Sequence, residues 1–512
     1  MSVYEEVDAR PVRHGRRMLW KFLLAAVIIT FASAAATAST LLLEVDRLVK
    51  VFDDNSGPSP VSENVLDKVP AGEPQTIMLL GSDRRYVDKV QGNPARSDTI
   101  ILVRLDPDRG VTAVLSIPRD LKVNIPTKNG VVTDKINAAY SIGGPELTLK
   151  TVKNLLHIPI HHIVNINFGG FEDAVNTLGC VYVDVDRRYF NDNNPPNGSP
   201  YDYATIDVKP GYQKLCGGKS LDYVRYRHFD TDLVRSARQQ DFLRQAKEQI
   251  GVSKLLNDRE QLLKVFAKHT QTDVKGTDEV LSLLKLGYES AKNPIQEVHF
   301  QADIGESYVE ASPEQIAATR REFLEARASE NRGEPQPREG DGQRRRQTRK
   351  REAGTYPGTF DAAQVAEDQA VQVAVALTKL RPKRQTLPVY YPKLAAVGSE
   401  YMSEDSTPRA YRIVDRSGER YKAYRLVVRA PGLGQYYGIQ GTTWKAPPIL
   451  DNPSETRTIG GRDYDLFYDG KRLRMVAFRT DDAAYWVSNT LLQTLTEKQM
   501  LGIATSLTRV GS

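Results

Sequence analysis

Residues 75–85 read QTIMLLGSDRR, residues 96–106 read RSDTIILVRLD, and residues 111–120 read VTAVLSIPRD. Within them Thr76–Leu80, Asp98–Leu105 and Val111–Ile117 are short apolar runs closed by Gly, Asp or Pro. Such runs predict three largely buried strands. Downstream, Pro145–Leu156 carries apolar residues at helical spacing, with Pro145 suited to a first turn. Ile163–Phe168 reads as a strand, Gly170–Leu178 as a short helix, Val181–Val185 as a strand, and Ser236 to about Ile250 as a helix. Strands interleaved with helices predict an α/β layered domain over residues 75–326.

Before this domain, Phe22–Leu43 holds no charged residue. As a helix it would cross about 30 Å, the thickness of a bilayer core. Arg10, Arg13, Arg16, Arg17 and Lys21 precede it, while Glu44, Asp46, Arg47 and Lys50 follow. The expectation is a single-pass protein of the cell membrane: a cytoplasmic tail (1–21), a transmembrane helix (22–43), a stalk (44–74) and extracytoplasmic domains. A cleaved signal peptide is the rival, but its apolar region would be only about 7–15 residues long. After the domain, 327–360 contains Arg344-Arg345-Arg346 and Arg349-Lys350-Arg351 with little to bury, and is expected to be a disordered basic tether. Asp361–Leu380 reads as an amphipathic helix, Leu387–Tyr391, Tyr421–Val428, Tyr464–Tyr468 and Leu473–Arg479 as strands, and Thr496–Ser506 as a capped helix. These make a small α+β domain (361–512) of unknown role, without a catalytic constellation and expected to be dispensable for chemistry.

A net charge of +6 over 512 residues, part of it in the tether, gives no argument for nucleic acid as a partner. The two cysteines, Cys180 and Cys216, fall in the portion expected outside, where thiols oxidise. A bridge between them would close a loop of about 37 residues, worth about 4 kcal/mol in the chain-entropy account.

Charged residues concentrate at the predicted strand ends. The segments are Gly81-Ser82-Asp83-Arg84-Arg85, Arg96-Ser97-Asp98-Thr99, Ser116-Ile117-Pro118-Arg119-Asp120 and Tyr223-Val224-Arg225-Tyr226-Arg227, followed by Arg235, Arg238, Gln239 and Gln240. As a strand, Arg225 and Arg227 share one face. Arg235 and Gln239, four apart, share a helix face. Several guanidiniums in one cleft suit a multiply charged phosphate, and the carboxylates of Asp83 and Asp98 beside it suit Mg²⁺. Ordinary ion pairing is the competing reading. His157, His161 and His162, spaced among isoleucines, read as a turn and strand start rather than a metal site.

Together with Asp134-Lys135-Ile136-Asn137-Ala138-Ala139-Tyr140, Gly143-Gly144 and Arg238-Gln239-Gln240, these motifs in this order resemble the LytR-CpsA-Psr family of cell-wall glycopolymer ligases over residues 75–326. The resemblance implies a central mixed sheet flanked by helices. It implies a polyprenyl diphosphate-linked glycan as donor, Mg²⁺ as cofactor and peptidoglycan as acceptor, at a membrane. By motif, Asp83 and Asp98 would hold the metal, and with Arg119 form the catalytic group. Arg96, Arg119, Arg225, Arg227, Arg235 and Gln239 would hold the diphosphate. Asp230 and Asp232 both qualify as the acidic residue before the last arginines, and the general base stays open among Asp83, Asp98 and Asp120. Ile101, Val103, Ile163, Ile166 and Phe168 are candidates to line a lipid tunnel, or are simple core. The rivals are a lipid diphosphate hydrolase, a non-catalytic wall-binding module and a membrane-tethered regulator. The last would have only about 20 cytoplasmic residues, too few for a helix-turn-helix.

Overall fold

The computed structural model describes residues 50, 58–70, 72–82, 97–192, 194, 204–226, 230–250, 259–290, 292–327, 356–404 and 407–511. Strands β1 (Gln75–Ser82), β2 (Ser97–Asp106) and β3 (Val111–Ile117) pair antiparallel in sequence order. Helix α1 (Ala138–Leu156) leads to β4 (His162–Asn167), which lies parallel to β1. Helix α2 (Phe168–Thr177), β5 (Val181–Val185), β6 (Gly211–Leu215), α3 (Gly217–Arg225) and α4 (Asp232–Gln249) follow. With β7 (Thr270–Thr272) and β8 (Ile295–His299) the mixed sheet has the order β7-β4-β1-β2-β3-β8. Every residue of β3 is buried, as expected of a strand covered on both faces.

One face of the sheet packs Met78, Leu80, Leu102 and Leu115 against Leu149 and Val152 of α1. That helix begins seven residues before Pro145 and breaks at Gly143–Gly144. Gly144 has φ +67°, which glycine adopts without a Cβ clash. Cys180 and Cys216 are disulfide-bonded, Cα atoms 4.5 Å apart, tying the start of β5 to the N-terminus of α3.

Helix α4 reverses the usual pattern of a packed helix. Arg235, Arg238, Gln239, Gln240, Arg244 and Gln245 are all buried. Burial of polar groups is tolerable only when each finds a partner. Gln240 Nε2 donates to the carbonyls of Val114 (3.3 Å) and Val298 (2.8 Å), stitching the helix to β3 and β8. Arg244 Nε donates to Glu297 at 2.6 Å.

The second domain is built on an eight-stranded sheet with helices α5 (Ala363–Lys379) and α6 (Glu497–Thr505). Its strands include β9 (Arg409–Val414), β10 (Arg420–Arg429), β11 (Tyr436–Thr442), β12 (Glu455–Ile459), β13 (Arg462–Asp469), β14 (Arg472–Arg479) and β15 (Ala484–Ser488). Thr496 caps α6 in a capping box with Gln499. The domain shares a core with the first: Tyr182 and Tyr212 pack with Ile413, Met475 and Trp486. Asp184 of β5 accepts two hydrogen bonds from Arg425 and one, at 3.2 Å, from the Trp486 indole. Tyr182 Oη donates to the Val414 carbonyl at 2.8 Å, and Tyr411 Oη to that of Tyr212 at 3.2 Å. A Cβ at Gly438 would collide with the Arg425 guanidinium, so β11 makes room for that side chain by lacking one.

Two expectations are corrected. The segment 22–43 lies outside the described residues, and no helix among the described residues is long and apolar enough to cross a membrane. The described fold is a mixed α/β domain plus a sheet-rich domain; the expected transmembrane helix is not found among the described residues, and the single-pass location is not supported. The alternation of Arg225 with tyrosines predicts a strand. Arg225 instead ends helix α3, where Tyr223 and Tyr226 are buried against Tyr189.

Candidate active site

Between β1, β2 and β4 on one side and α2, α3 and α4 on the other lies a cavity of about 130 Å³. Leu79, Ile101, Ile166, Phe168, Phe171 and Phe242 give it apolar walls. Arg225, Arg235 and Gln239 also line it. The helical spacing of Arg235 and Gln239 thus places both on the cavity side of α4. Gln239 Nε2 donates to Thr99 Oγ1 (3.1 Å) and to the Val224 carbonyl (3.2 Å), joining α4 to β2 and α3. Of the residues expected to line a tunnel, Ile101, Ile166 and Phe168 do so. Ile163 points to the α1 side and is core, being of opposite parity to Ile166 on the same strand. Val103 lies farther along β2 and is not part of the wall.

Arg119 follows β3 through Pro118 and is almost fully buried. Its Nε lies 3.7 Å from Asp120 Oδ2 and 3.8 Å from Asp232 Oδ1. Arg235 donates to the same Asp232 oxygen. Asp232 Oδ2 accepts from the Asp120 backbone N–H at 3.3 Å. The carboxylate sits in the first turn of α4, where the helix dipole favours an anion. Asp232 therefore ties Arg119 to Arg235. Asp230 behaves differently, because its side chain has no solvent exposure and pairs with Arg187 and Arg238. Arg225 pairs with Asp222 at 2.7 Å. Sequence reasoning leaves the two aspartates equivalent and does not find Arg187.

Asp83, Arg96 and Arg227 lie outside the described residues, as does the side chain of Asp98. The backbone still places Asp98. Gly81 pairs with Thr99 and Ser82 with Ser97, so Asp98 is the extra residue of a β-bulge at the end of β1. Bulges re-aim a side chain and recur beside active sites. Asp83 follows Ser82, the last residue of β1, directly in the sequence. A pair of carboxylate oxygens is the donor set that Mg²⁺ takes beside phosphate.

Among the described residues one group has donors close enough to hold a metal: Glu297, His299 and Asp469, within 4.8 Å of one another. It straddles the two domains at β8, on the far edge of the sheet from β4 and the cavity wall. Burial pushes Glu297 up to about 8 and His299 down to about 3, the latter helped by Arg472. Its mixed nitrogen and oxygen donors, with Arg244 already on Glu297, do not suit a Mg²⁺ that must also face a diphosphate. His157, His161 and His162 are structural, as the sequence predicts. His157 is a left-handed helix cap, His161 Nδ1 accepts from the Thr76 N–H at 2.8 Å, and His162 Nδ1 lies 2.8 Å from Asp273.

The model of the LytR_cpsA_psr family matches residues 39–324. An uncharacterised protein of Staphylococcus aureus is 32% identical over 275 residues, 52% of this chain and 65% of that protein. The polyisoprenyl-teichoic acid–peptidoglycan teichoic acid transferase TagU of Oceanobacillus iheyensis is 28% identical over 297 residues, 55% of this chain and 85% of that protein. The crystal structure of Bacillus subtilis TagV is 27% identical, covers 50% of this chain and 98% of that one, and superposes with a TM-score of 0.39.

Proposed function

Since the chain belongs to the LytR_cpsA_psr family, we propose that it transfers a glycopolymer from a polyprenyl diphosphate carrier to a peptidoglycan hydroxyl. The observation that carries this reading is the apolar cavity that shares its wall with Arg225, Arg235 and Gln239. An isoprenoid chain needs such walls, and the diphosphate at its end needs such donors. The name of the TagU relative describes the same class of transfer.

In this reading the cavity takes the lipid. Arg119, Arg225, Arg235 and Gln239, with Arg96 and Arg227, grip the diphosphate. Asp83 and Asp98 would hold Mg²⁺, which supplies charge neutralisation for the diphosphate when bound. The acceptor oxygen forms a bond to the sugar-proximal phosphorus, the bond from that phosphorus to the bridging oxygen breaks, and polyprenyl monophosphate leaves. The hydroxyl proton passes to a carboxylate among Asp83, Asp98 and Asp120. Most of the acceleration would come from fixed positive charge and positioning.

The test uses the full chain with a polyprenyl diphosphate-linked saccharide, Mg²⁺ and peptidoglycan. Polyprenyl monophosphate should appear together with saccharide phosphate bound to peptidoglycan. Release with water as the only acceptor would replace the ligase reading with a hydrolase, and no release would remove both.

A further inference from the structure

The second domain touches the first beside the arginines, through the segment that leads into β11. A Cβ on Gly434 would lie 3.2 Å from Val234 Cγ2 and 3.5 Å from Asp230 Oδ1, so the glycine backbone is in close contact with the entry to α4. Its φ of +73° is one that side-chain-bearing residues rarely adopt. Two residues on, the Tyr436 ring centre lies 5.3 Å from the Arg187 guanidinium. Tyr189 and Tyr226 face the same guanidinium at 4.6 and 5.3 Å. Arg187 in turn donates to Asp230, whose other oxygen takes Arg238. Next in sequence, Thr231 caps α4, its hydroxyl accepting from the Val234 N–H at 3.2 Å, and Asp232 ties Arg119 to Arg235.

A continuous set of contacts therefore runs from Tyr436 and Gly434 of one domain to Arg119 and Arg235 of the other. We infer that Gly434 and Tyr436 are positioning residues for the diphosphate site: the second domain holds Asp230–Arg235 in the geometry that aims the arginines. This replaces the sequence expectation of a domain dispensable for chemistry, and it rests on the diphosphate reading of the arginines. The physical reason is that a buried ion pair keeps its geometry only while its surroundings over-determine it. Arg187 is a buried cation whose third aromatic wall comes from the second domain.

The experiment measures Mg²⁺-dependent binding of geranylgeranyl diphosphate to the full-length chain, to Tyr436→Ala and to Tyr436→Phe, with thermal melting alongside. The tyrosine-to-alanine variant should stay folded and bind about 2- to 30-fold more weakly, the range of one cation–π contact. The phenylalanine variant keeps the ring and should bind like the unaltered chain. Gly434→Val, which wedges Val234 and Asp230, should weaken binding in the same direction. Unchanged binding by folded Tyr436→Ala, or loss only in proportion to unfolding, overturns the inference and leaves the functional reading standing. Failure of the unaltered chain to bind the probe overturns both.

Discussion

Arg425 donates two hydrogen bonds to Asp184 across the seam between the domains, at 2.9 and 3.2 Å, and has no solvent-exposed surface. Neither residue's role is visible along the chain. Asp184 interrupts the apolar run Val181–Val185, and Arg425 sits inside the run Tyr421–Val428. Each resembles an outward-facing polar residue of a half-buried strand. The partner that permits burial comes from 241 residues away.

Removing one member leaves the other charge buried and unpaired. Asp184→Ala should cost about 3–5 kcal/mol of stability. Arg425→Leu in the same background should restore part of that loss, because the stranded guanidinium is gone. Denaturant unfolding of the single and double variants checks this; full additivity of the two losses would show that the pair does not interact.

The second prediction concerns pH. Burial pushes the Asp186 carboxyl up to about 6, opposed by Arg187 and the Tyr189 hydroxyl bond. The folded chain then holds a proton that the unfolded chain has released, so stability should fall as pH rises from about 4 to about 6. A two-unit displacement corresponds to about 3 kcal/mol. Asp186→Asn should melt higher than the unaltered chain at pH 7.5, with the gap closing near pH 4. A constant gap across that range would show that Asp186 is ionised throughout.

The third prediction separates the lipid from its head group. Ile101→Phe narrows the cavity wall without touching the arginines. It should weaken binding of long prenyl diphosphates while leaving inorganic pyrophosphate unchanged. Overpacking itself costs about 1–3 kcal/mol of stability, so melting is measured beside binding. Equal loss for both ligands would place the lipid elsewhere.

The two aspartates before α4 give the fourth prediction. Asp232→Asn takes charge from two buried arginines and weakens the tie between Arg119 and Arg235, so it should lower stability and, beyond what unfolding explains, lower turnover about 10- to 100-fold, the worth of one charge-assisted contact. Asp230→Asn strips charge from Arg187 and Arg238 and should destabilise the fold by about 3–5 kcal/mol, with turnover falling only in proportion to unfolding. Turnover and melting of both variants decide between these roles.

What was legible in the sequence follows from locality. β1 to β3 emerge within two residues of their expected ends because an apolar run with a breaker is a local signal. Arg235 and Gln239 meet on one face because helical spacing is local too. The strand assigned to Arg225 failed because its alternation with tyrosines mimics period two. Those rings pack around Tyr189 from a helix end. The lining of the cavity was half legible: parity separates Ile166 from Ile163, but only the position of α2 and α4 shows which face is hollow. The coupling of the domains was not legible, since Gly434 and Tyr436 acquire meaning only from Asp230 and Arg187 opposite them. The membrane segment expected at 22–43 falls outside the described residues, so the described fold offers no spanning helix in its support.

The central claim is that the cavity and its arginines form one site for a prenyl diphosphate. The most direct test is a calorimetric titration of the unaltered chain and Arg225→Ala with geranylgeranyl diphosphate in the presence of Mg²⁺. Among the described arginines of the set Arg225 is the most exposed, so its removal should leave the fold intact. The account predicts saturable binding by the unaltered chain and a loss of about 10- to 100-fold in the variant, one charge-assisted contact. Equal affinities for the two proteins, both folded, would contradict it.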